Sequence, residues 1–214
     1  MKKPVIILGS GGHSKVLVNI LKKQGTEILG YVGPVEDSAN HDYSFKYLGN
    51  DKIIYDYSPD KIELVNGLGA LPGKLERWSL DNVLSQDYTF STIVDDSSIV
   101  ARDVILDEGV QVMAGSIIQP GTNIGRSTII NTKSSIDHDC IIGKECHIAP
   151  GVTISGGVQI GEGVHIGTGT SIIQSIKIAN NVIIGAGSVI YKDIKENCRL
   201  ITIQEQRIET INPQ

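Results

Sequence analysis

The chain has 214 residues, of which 40% are hydrophobic and 20% charged, a balance typical of folded domains with a packed core. Its formal net charge is −5 and it contains no marked basic run, which argues against nucleic acid or an anionic membrane as the main partner. We expect no membrane span, because every apolar run is short, and three cysteines without a CxxC pair favour the cytoplasm.

Residues 1–92 mix strand and helix patterns. The segment VIILG (Val5–Gly9) predicts a buried parallel strand. The glycine loop GSGGHS (Gly9–Ser14) follows, and the segment HSKVLVNILKKQG predicts a helix that ends at Gly25. Two further strands are predicted in EILGYVG (Glu27–Gly33) and KIELVNGLG (Lys61–Gly69). Because strands and helices alternate, we predict a small Rossmann-like α/β domain with a doubly wound sheet.

From residue 93 onward the pattern changes to a period of six. A Val, Leu or Ile stands at every sixth position from Val94 to Ile190, and a small or aliphatic residue follows each of them by four positions. A helix does not produce this period, and neither does a meander with variable turns. We predict a parallel β-helix over residues 93–195, in which three hexads close one triangular coil, and a C-terminal tail over 196–214.

The hexads, together with the segments ILGSGGHSKVL and IDHDCIIGKECHIAPGVTISGG, resemble the bacterial sugar acetyltransferases of the sialic-acid O-acetyltransferase type. That family includes N-acetyltransferases that act on nucleotide-linked 4-amino sugars of the bacillosamine or perosamine kind. The resemblance implies a left-handed β-helix that forms a homotrimer and binds acetyl-CoA between neighbouring prisms. It also implies that the N-terminal domain binds a UDP-, dTDP- or GDP-linked sugar destined for surface glycans.

His138 is the candidate general base. It follows the inward Ile136 by two residues, so we expect it on a turn rather than in the core. A histidine base needs a carboxylate to orient its ring, and Asp137 or Asp139 can supply one. The resemblance assigns the base to His138 and its partner to Asp139. The alternative is a solvated turn histidine.

Spacing places two more residues relative to His138. Gly156 comes 18 residues later, one full coil, so its backbone N–H could reach the oxyanion that develops on the thioester. His147 comes nine residues later, half a coil, and should point to the other side of the prism. The two histidines can then serve one substrate only between protomers, and the resemblance implies that His147 contacts acetyl-CoA.

Several residues are candidates for ligand binding. The resemblance implies nucleotide-sugar contacts at Gly11, Gly12, His13 and Gly69; the alternative is that these glycines only allow tight turns. Gly167, Thr168, Gly185 and Ala186 lie on successive coils and are expected to bind acetyl-CoA, with Lys192 or Lys195 near its phosphates. Cys140 and Cys146 fall in an inward column and are expected to be core residues, and no metal site is expected even though His165 stacks on His147.

The predicted activity is acetyl transfer from acetyl-CoA to the 4-amine of a nucleotide-linked amino-deoxy sugar. O-acetylation of a sialic-acid-like sugar is an alternative within the same class, because these motifs do not separate an amine from a hydroxyl. A trimeric β-helix that binds metal at its subunit interfaces is the alternative from a different class.

Overall fold

The computed structural model describes residues 2–34, 46–69 and 76–201. The N-terminal α/β domain contains, in chain order, β1 (Val5–Leu8), α1 (Gly12–Lys23), β2 (Ile28–Val32), β3 (Tyr47–Gly49), a 3-10 helix (Asp51–Asp56), β4 (Glu63–Asn66) and α2 (Glu76–Leu84). In these ranges, no helix has the length and apolarity that crossing a membrane would require.

The first sheet is parallel, with strand order β3-β2-β1-β4. The three predicted strands are confirmed, although the one predicted third is the fourth in the chain. The short strand β3 was not predicted, because Tyr47–Gly49 is too brief to show alternation. The predicted helix is confirmed as α1, and the chain leaves it through Gly25 at a φ of 67°, a left-handed value that glycine adopts without strain.

The second domain is a three-sided parallel β-helix built from two-residue strands. Face 1 contains β5 (Ile93–Val94), β8 (Gln111–Val112), β11 (Ile129–Ile130), β14 (His147–Ile148), β17 (His165–Ile166), β20 (Ile183–Ile184) and β22 (Arg199–Leu200). Face 2 contains β6 (Ile99–Val100), β9 (Ile117–Ile118), β12 (Ser135–Ile136), β15 (Thr153–Ile154), β18 (Ser171–Ile172) and β21 (Val189–Ile190). Face 3 contains β7 (Ile105–Leu106), β10 (Asn123–Ile124), β13 (Ile141–Ile142), β16 (Gln159–Ile160) and β19 (Lys177–Ile178).

The predicted period holds along almost the whole prism. Strands one coil apart pair in register, as with Asn123 and Ile141 on face 3. The second residue of most strands is buried in one continuous core, and Cys140 and Cys146 are fully buried there, as predicted. Face 1 continues to β22, beyond the predicted end at residue 195, because Leu200 pairs with Ile184 after a coil two residues short. Residues 202–214 of the predicted tail lie outside the described residues.

The α/β domain packs on the first coils of face 1. Apolar side chains of β1 and α1, such as Ile7 and Leu17, form one buried cluster with Ile93, Met113 and Ile129 of the prism. Burying such side chains contributes roughly 1.5–3 kcal/mol each. The two domains therefore share a core.

Polar contacts reinforce this junction on the α2 side. The buried Asp81 carboxylate of α2 accepts a hydrogen bond from Ser127 Oγ at 2.5 Å and pairs with Arg126 of the prism at 3.2 Å. A buried carboxylate is tolerated only with such partners, so these contacts hold α2 in one position against the prism.

Candidate active site

The loops after β1 and β4 meet at the edge of the first sheet where its parallel strands end. Ser14 Oγ donates to the carbonyl oxygens of Gly9, at 2.8 Å, and of Gly67, at 3.0 Å, and so ties the two loops together. In a doubly wound sheet, ligands bind at this edge, where strand order reverses on either side of β1. The fold brings the four predicted sugar-binding residues to it, namely Gly11, Gly12, His13 and Gly69.

His13 occupies a different environment from the glycines beside it. Gly11, Gly12 and Gly69 are exposed, whereas His13 is half-buried against the prism, with Nε2 2.8 Å from Gln111 Oε1. Burial and the nearby Arg77 guanidinium lower the pKa of His13 to about 3. His13 is therefore neutral at physiological pH.

His138 and Asp139 stand on an exposed corner of the prism between faces 2 and 3. His138 Nδ1 lies 2.8 Å from Asp139 Oδ2, and the two side chains are 62% and 73% exposed. The hydrogen bond to Asp139 is the main cause that raises the pKa of His138, and Asp137 adds to it. With Nδ1 bound to a carboxylate, Nε2 is the ring atom left for a substrate.

Gly156 lies one coil below His138 on the same corner, as the spacing predicts. A Cβ at position 156 would stand 2.7 Å from His138 Nε2 and Cε1, so only glycine leaves room for this ring position. Within the described chain, the Gly156 N–H donates no hydrogen bond, whereas the next amide, that of Gly157, donates to His138 O at 2.9 Å. The glycine beneath the imidazole therefore has a backbone N–H with no partner among the described residues.

His147 lies on face 1, opposite the corner that carries His138. Its Nε2 is 3.1 Å from Asn131 Nδ2, and its ring stands edge-on to His165 with centroids 4.9 Å apart. Burial lowers the pKa of His165. One protomer thus does not bring His138 and His147 together, and among the described residues no group of three metal-ligating side chains forms around the histidine pair.

The far end of face 1 carries an open cavity of about 410 Å³. Its lining includes all four residues predicted to bind acetyl-CoA, namely Gly167, Thr168, Gly185 and Ala186, together with His165 and Arg199. The backbone N–H groups of Thr168 and Ala186 make no hydrogen bond to any described residue. Face 1 therefore carries the α/β domain at one end, His147 in the middle and this cavity at the other end.

Three polar residues near these sites were not found from the sequence. Arg199 lines the cavity, whereas the predicted Lys192 and Lys195 do not. Gln111 and Arg77 meet at the domain junction 3.1 Å apart. Of these three residues, only Gln111 could have been noticed in the sequence. It interrupts a column of isoleucines, because Ile93 and Ile129 occupy the same outward strand position on the neighbouring coils, and its amide is buried there.

Comparisons with known proteins agree with both halves of this architecture. Residues 4–73 match the PglD N-terminal domain, and residues 121–156 and 157–192 match the bacterial transferase hexapeptide model of six repeats. A search of curated proteins found no match.

The solved structures extend the likeness over more than nine-tenths of the chain. PerB from Caulobacter crescentus, in complex with CoA and GDP-perosamine, is 30% identical, with a TM-score of 0.82 and coverage of 92% of both chains. The chain belongs to the hexapeptide-repeat sugar acetyltransferases. The acetyltransferase domain of PglB from Neisseria gonorrhoeae FA1090, in complex with acetyl coenzyme A, is 26% identical, with a TM-score of 0.82 and coverage of 93% of this acetyltransferase and 96% of that domain.

WeeI from Acinetobacter baumannii AYE shares the fold of this acetyltransferase at 20% identity, with a TM-score of 0.77. The alignment covers 94% of this acetyltransferase and 97% of WeeI. The predicted fold class and family are thereby confirmed, including the left-handed β-helix typical of hexapeptide repeats. The roles of individual site residues stay predictions.

Proposed function

We propose that this acetyltransferase moves the acetyl group of acetyl-CoA to the 4-amine of a nucleotide-linked amino-deoxy sugar, with His138 as general base. The observation that carries the proposal is the exposed His138–Asp139 pair, 2.8 Å apart, one coil above Gly156, whose N–H has no partner among the described residues. A base and an oxyanion donor on one corner are what acyl transfer requires.

The proposed reaction needs no acyl-enzyme. The amine nitrogen attacks the thioester carbonyl carbon while His138 Nε2 takes a proton from the amine. The Gly156 N–H donates to the oxygen that gains negative charge. The C–S bond then breaks, the thiolate of CoA leaves and takes up a proton, and the acetamide remains on the sugar. Asp139 stabilises the imidazolium through Nδ1.

The nucleotide sugar is proposed to bind where β1 and β4 end. PerB, the 30% identical relative, binds GDP-perosamine. The N-cap of α1 is Gly11, which supplies no side-chain hydrogen bond, so the first amides of this 12-residue helix are open to a diphosphate. Gly12, His13 and Gly69 adjoin the same edge.

Acetyl-CoA is proposed to lie along face 1, in the cavity formed around Thr168 and Ala186. Their N–H groups, which have no partner among the described residues, can donate to the amide carbonyls of the pantetheine arm. Arg199, at the end of the cavity, offers a cation for a phosphate. From there the acetyl group would reach His147 in the middle of the face.

Assembly into a homotrimer would complete the site. His138 and His147 lie on opposite sides of one prism, so a neighbouring protomer must supply one of them. Exposed aliphatic side chains on faces 2 and 3 provide a contact surface; Ile99 and Val189 are each 64% exposed. The trimer and the cytoplasmic location stay predictions.

The test is an assay of thiol release from acetyl-CoA with a panel of acceptors: GDP-perosamine, UDP- and dTDP-linked 4-amino sugars, and a sialic acid. We expect turnover with at least one 4-amino sugar and a product heavier by one acetyl group on nitrogen. His138→Ala should lower kcat roughly 10²- to 10⁴-fold, because a general base contributes that much.

The matched control is Gln174→Ala, one coil beyond Gly156 on the same corner, which should keep wild-type turnover. Full turnover by His138→Ala would overturn the assigned base. Turnover with the sialic acid alone would show that the acceptor is a hydroxyl.

A further inference from the structure

A buried polar cluster at the domain junction takes no part in the reaction described above. Gln111, only 1% exposed, lies at its centre. Its Oε1 is 2.8 Å from His13 Nε2 and 3.1 Å from Arg77 Nη2, and its Nε2 is 2.9 Å from the Asn66 carbonyl oxygen. Arg77, which is also 1% exposed, further donates to Asn66 O at 2.8 Å and to Leu68 O at 2.6 Å.

The neighbours of Gln111 determine which way its amide points. A guanidinium can only donate and a backbone carbonyl can only accept. The oxygen of Gln111 must therefore face Arg77, and its NH₂ must face Asn66. The opposite orientation would bring two donors together at Arg77 and two acceptors together at Asn66.

The orientation of Gln111 in turn determines the tautomer of His13. An oxygen 2.8 Å from His13 Nε2 requires that nitrogen to carry the proton. Burial, Arg77 and His147 lower the pKa of His13 and outweigh the Gln111 hydrogen bond, which raises it, so the second nitrogen stays unprotonated near pH 7. Nδ1 then keeps its lone pair, and it has no hydrogen-bond partner in the described part of the chain.

We propose that Gln111 is a positioning residue that holds His13 in its Nε2–H form, so that Nδ1 accepts a hydrogen bond from a hydroxyl, amine or imide N–H of the bound nucleotide sugar. This inference rests on the proposed function, and it refines the role of the glycine loop. The lone pair of His13 Nδ1 repels a phosphate oxygen, so His13 recognises a hydrogen-bond donor of the ligand. The diphosphate binds instead to the open amides at the N-terminus of α1.

Glutamine suits this position better than glutamate. A carboxylate at 111 would face the Asn66 carbonyl with no proton to donate, and its charge would favour protonation of His13. A protonated His13 would present Nδ1–H, a donor, to the ligand. Burial and Arg77 thus keep His13 neutral near pH 7, and the uncharged Gln111 amide selects its Nε2–H tautomer without adding a charge that would favour protonation.

The first experiment reads the tautomer directly, by long-range ¹H–¹⁵N NMR of the five histidines of the wild-type protein at pH 7. His13→Ala assigns the resonance. We expect the Nε2–H pattern for His13; an Nδ1–H or a doubly protonated pattern would overturn the proposal. This measurement needs no ligand and no variant of Gln111.

The second experiment measures Kd by calorimetry for GDP and for GDP-perosamine with Gln111→Met, a variant of similar length without an acceptor. We expect Kd to rise roughly three- to tenfold, the effect of one lost hydrogen bond. A rise with GDP places the donor in the nucleoside, and a rise with GDP-perosamine alone places it in the sugar. KM for acetyl-CoA, whose proposed site does not include Gln111, should not change.

The matched control is Gln159→Met, at the same strand position on face 3, where the side chain is exposed. An unchanged Kd for both ligands in a folded Gln111→Met protein would overturn the proposal. If no nucleotide sugar binds the wild type, the proposed function fails, and the NMR result still decides the tautomer.

Discussion

At the scale of single residues, the histidines differ in their readiness to take a proton. Asp139 raises the pKa of His138, whereas burial lowers the pKa of His165 and, with the charge of Arg77, lowers that of His13 to about 3. A general base works best when its pKa is near the working pH. Of these three histidines, His138 alone is suited to act as a base near neutrality.

Replacing Asp139 with Asn should shift the pH profile of kcat/KM. The base must be unprotonated, so the wild-type rate falls as the pH drops through the raised pKa of His138. Removing the carboxylate brings that pKa back toward 6.5, so the acid limb should move to lower pH. The plateau should fall roughly three- to tenfold, because a weaker base is a poorer catalyst.

The control for this profile is Glu145→Gln. Glu145 occupies the equivalent turn position one hexad later, with a φ of 58° against 57° for Asp139. Its variant should leave the acid limb in place. An acid limb that does not move in Asp139→Asn would show that another group limits the rate.

Sequence separation explains which of these residues could be predicted. His138 and Asp139 are adjacent in the chain, so their pairing needed no knowledge of the fold. His13 and Gln111 are 98 residues apart, and only the packing of one domain on the other brings them together. The sequence pattern therefore could not predict the tautomer of His13.

At the scale of elements, the 18-residue coil is what connects sequence to site. Because strands pair in register, a residue can be placed above another by counting, and Gly156 lies below His138 for this reason. The same counting separated His138 from His147. Counting failed only beyond Ile190, because the last coil is two residues shorter. The shorter coil places Arg199 at the cavity, where Lys192 or Lys195 was predicted.

Gly156→Ala should damage catalysis without unfolding the prism. The added Cβ would meet the His138 ring at 2.7 Å, and a ring on an exposed corner can swing away. We expect kcat to fall 10- to 100-fold, roughly the cost of a misplaced base, with little change in the unfolding midpoint.

The readouts for Gly156→Ala are single-turnover kinetics and thermal denaturation, with Gln174→Ala on the same corner as the reference. A wild-type kcat would mean that His138 does not need its present position. A large drop in the unfolding midpoint would mean that the corner is structural.

At the scale of the whole molecule, face 1 connects the two proposed ligands. The α/β domain covers Ile93, Gln111 and Ile129, while the cavity begins at His165, and His147 stands between them. His138, the proposed base, lies on the opposite corner. Under the proposed function, a single chain would carry both binding regions on one face and present its base to another chain.

Mixed oligomers test this arrangement. His138→Ala and His147→Ala proteins, each impaired alone, should regain about a quarter of wild-type activity when unfolded together in equal amounts and refolded. Each interface between protomers takes His138 from one protomer and His147 from its neighbour. With random mixing, both are intact at about one interface in four. The measurement is the acetyl-transfer rate per protomer.

The control mixture combines His138→Ala with Asp139→Ala. Both residues belong to one corner of one protomer, so no interface between protomers regains an intact His138–Asp139 pair. The rate should therefore stay at the average of the two variants. Recovery in this control, or none in the first mixture, would contradict a site shared between subunits.

The contact between His13 and Gln111 also has a consequence for synthesis. The ribosome releases the glycine loop 98 residues before the strand that completes its environment. Until the second coil of the prism has wound, Arg77 and His13 have no Gln111 to bind. The nascent α/β domain can thus form its sheet early, while its ligand pocket matures only when the adjoining coils are in place.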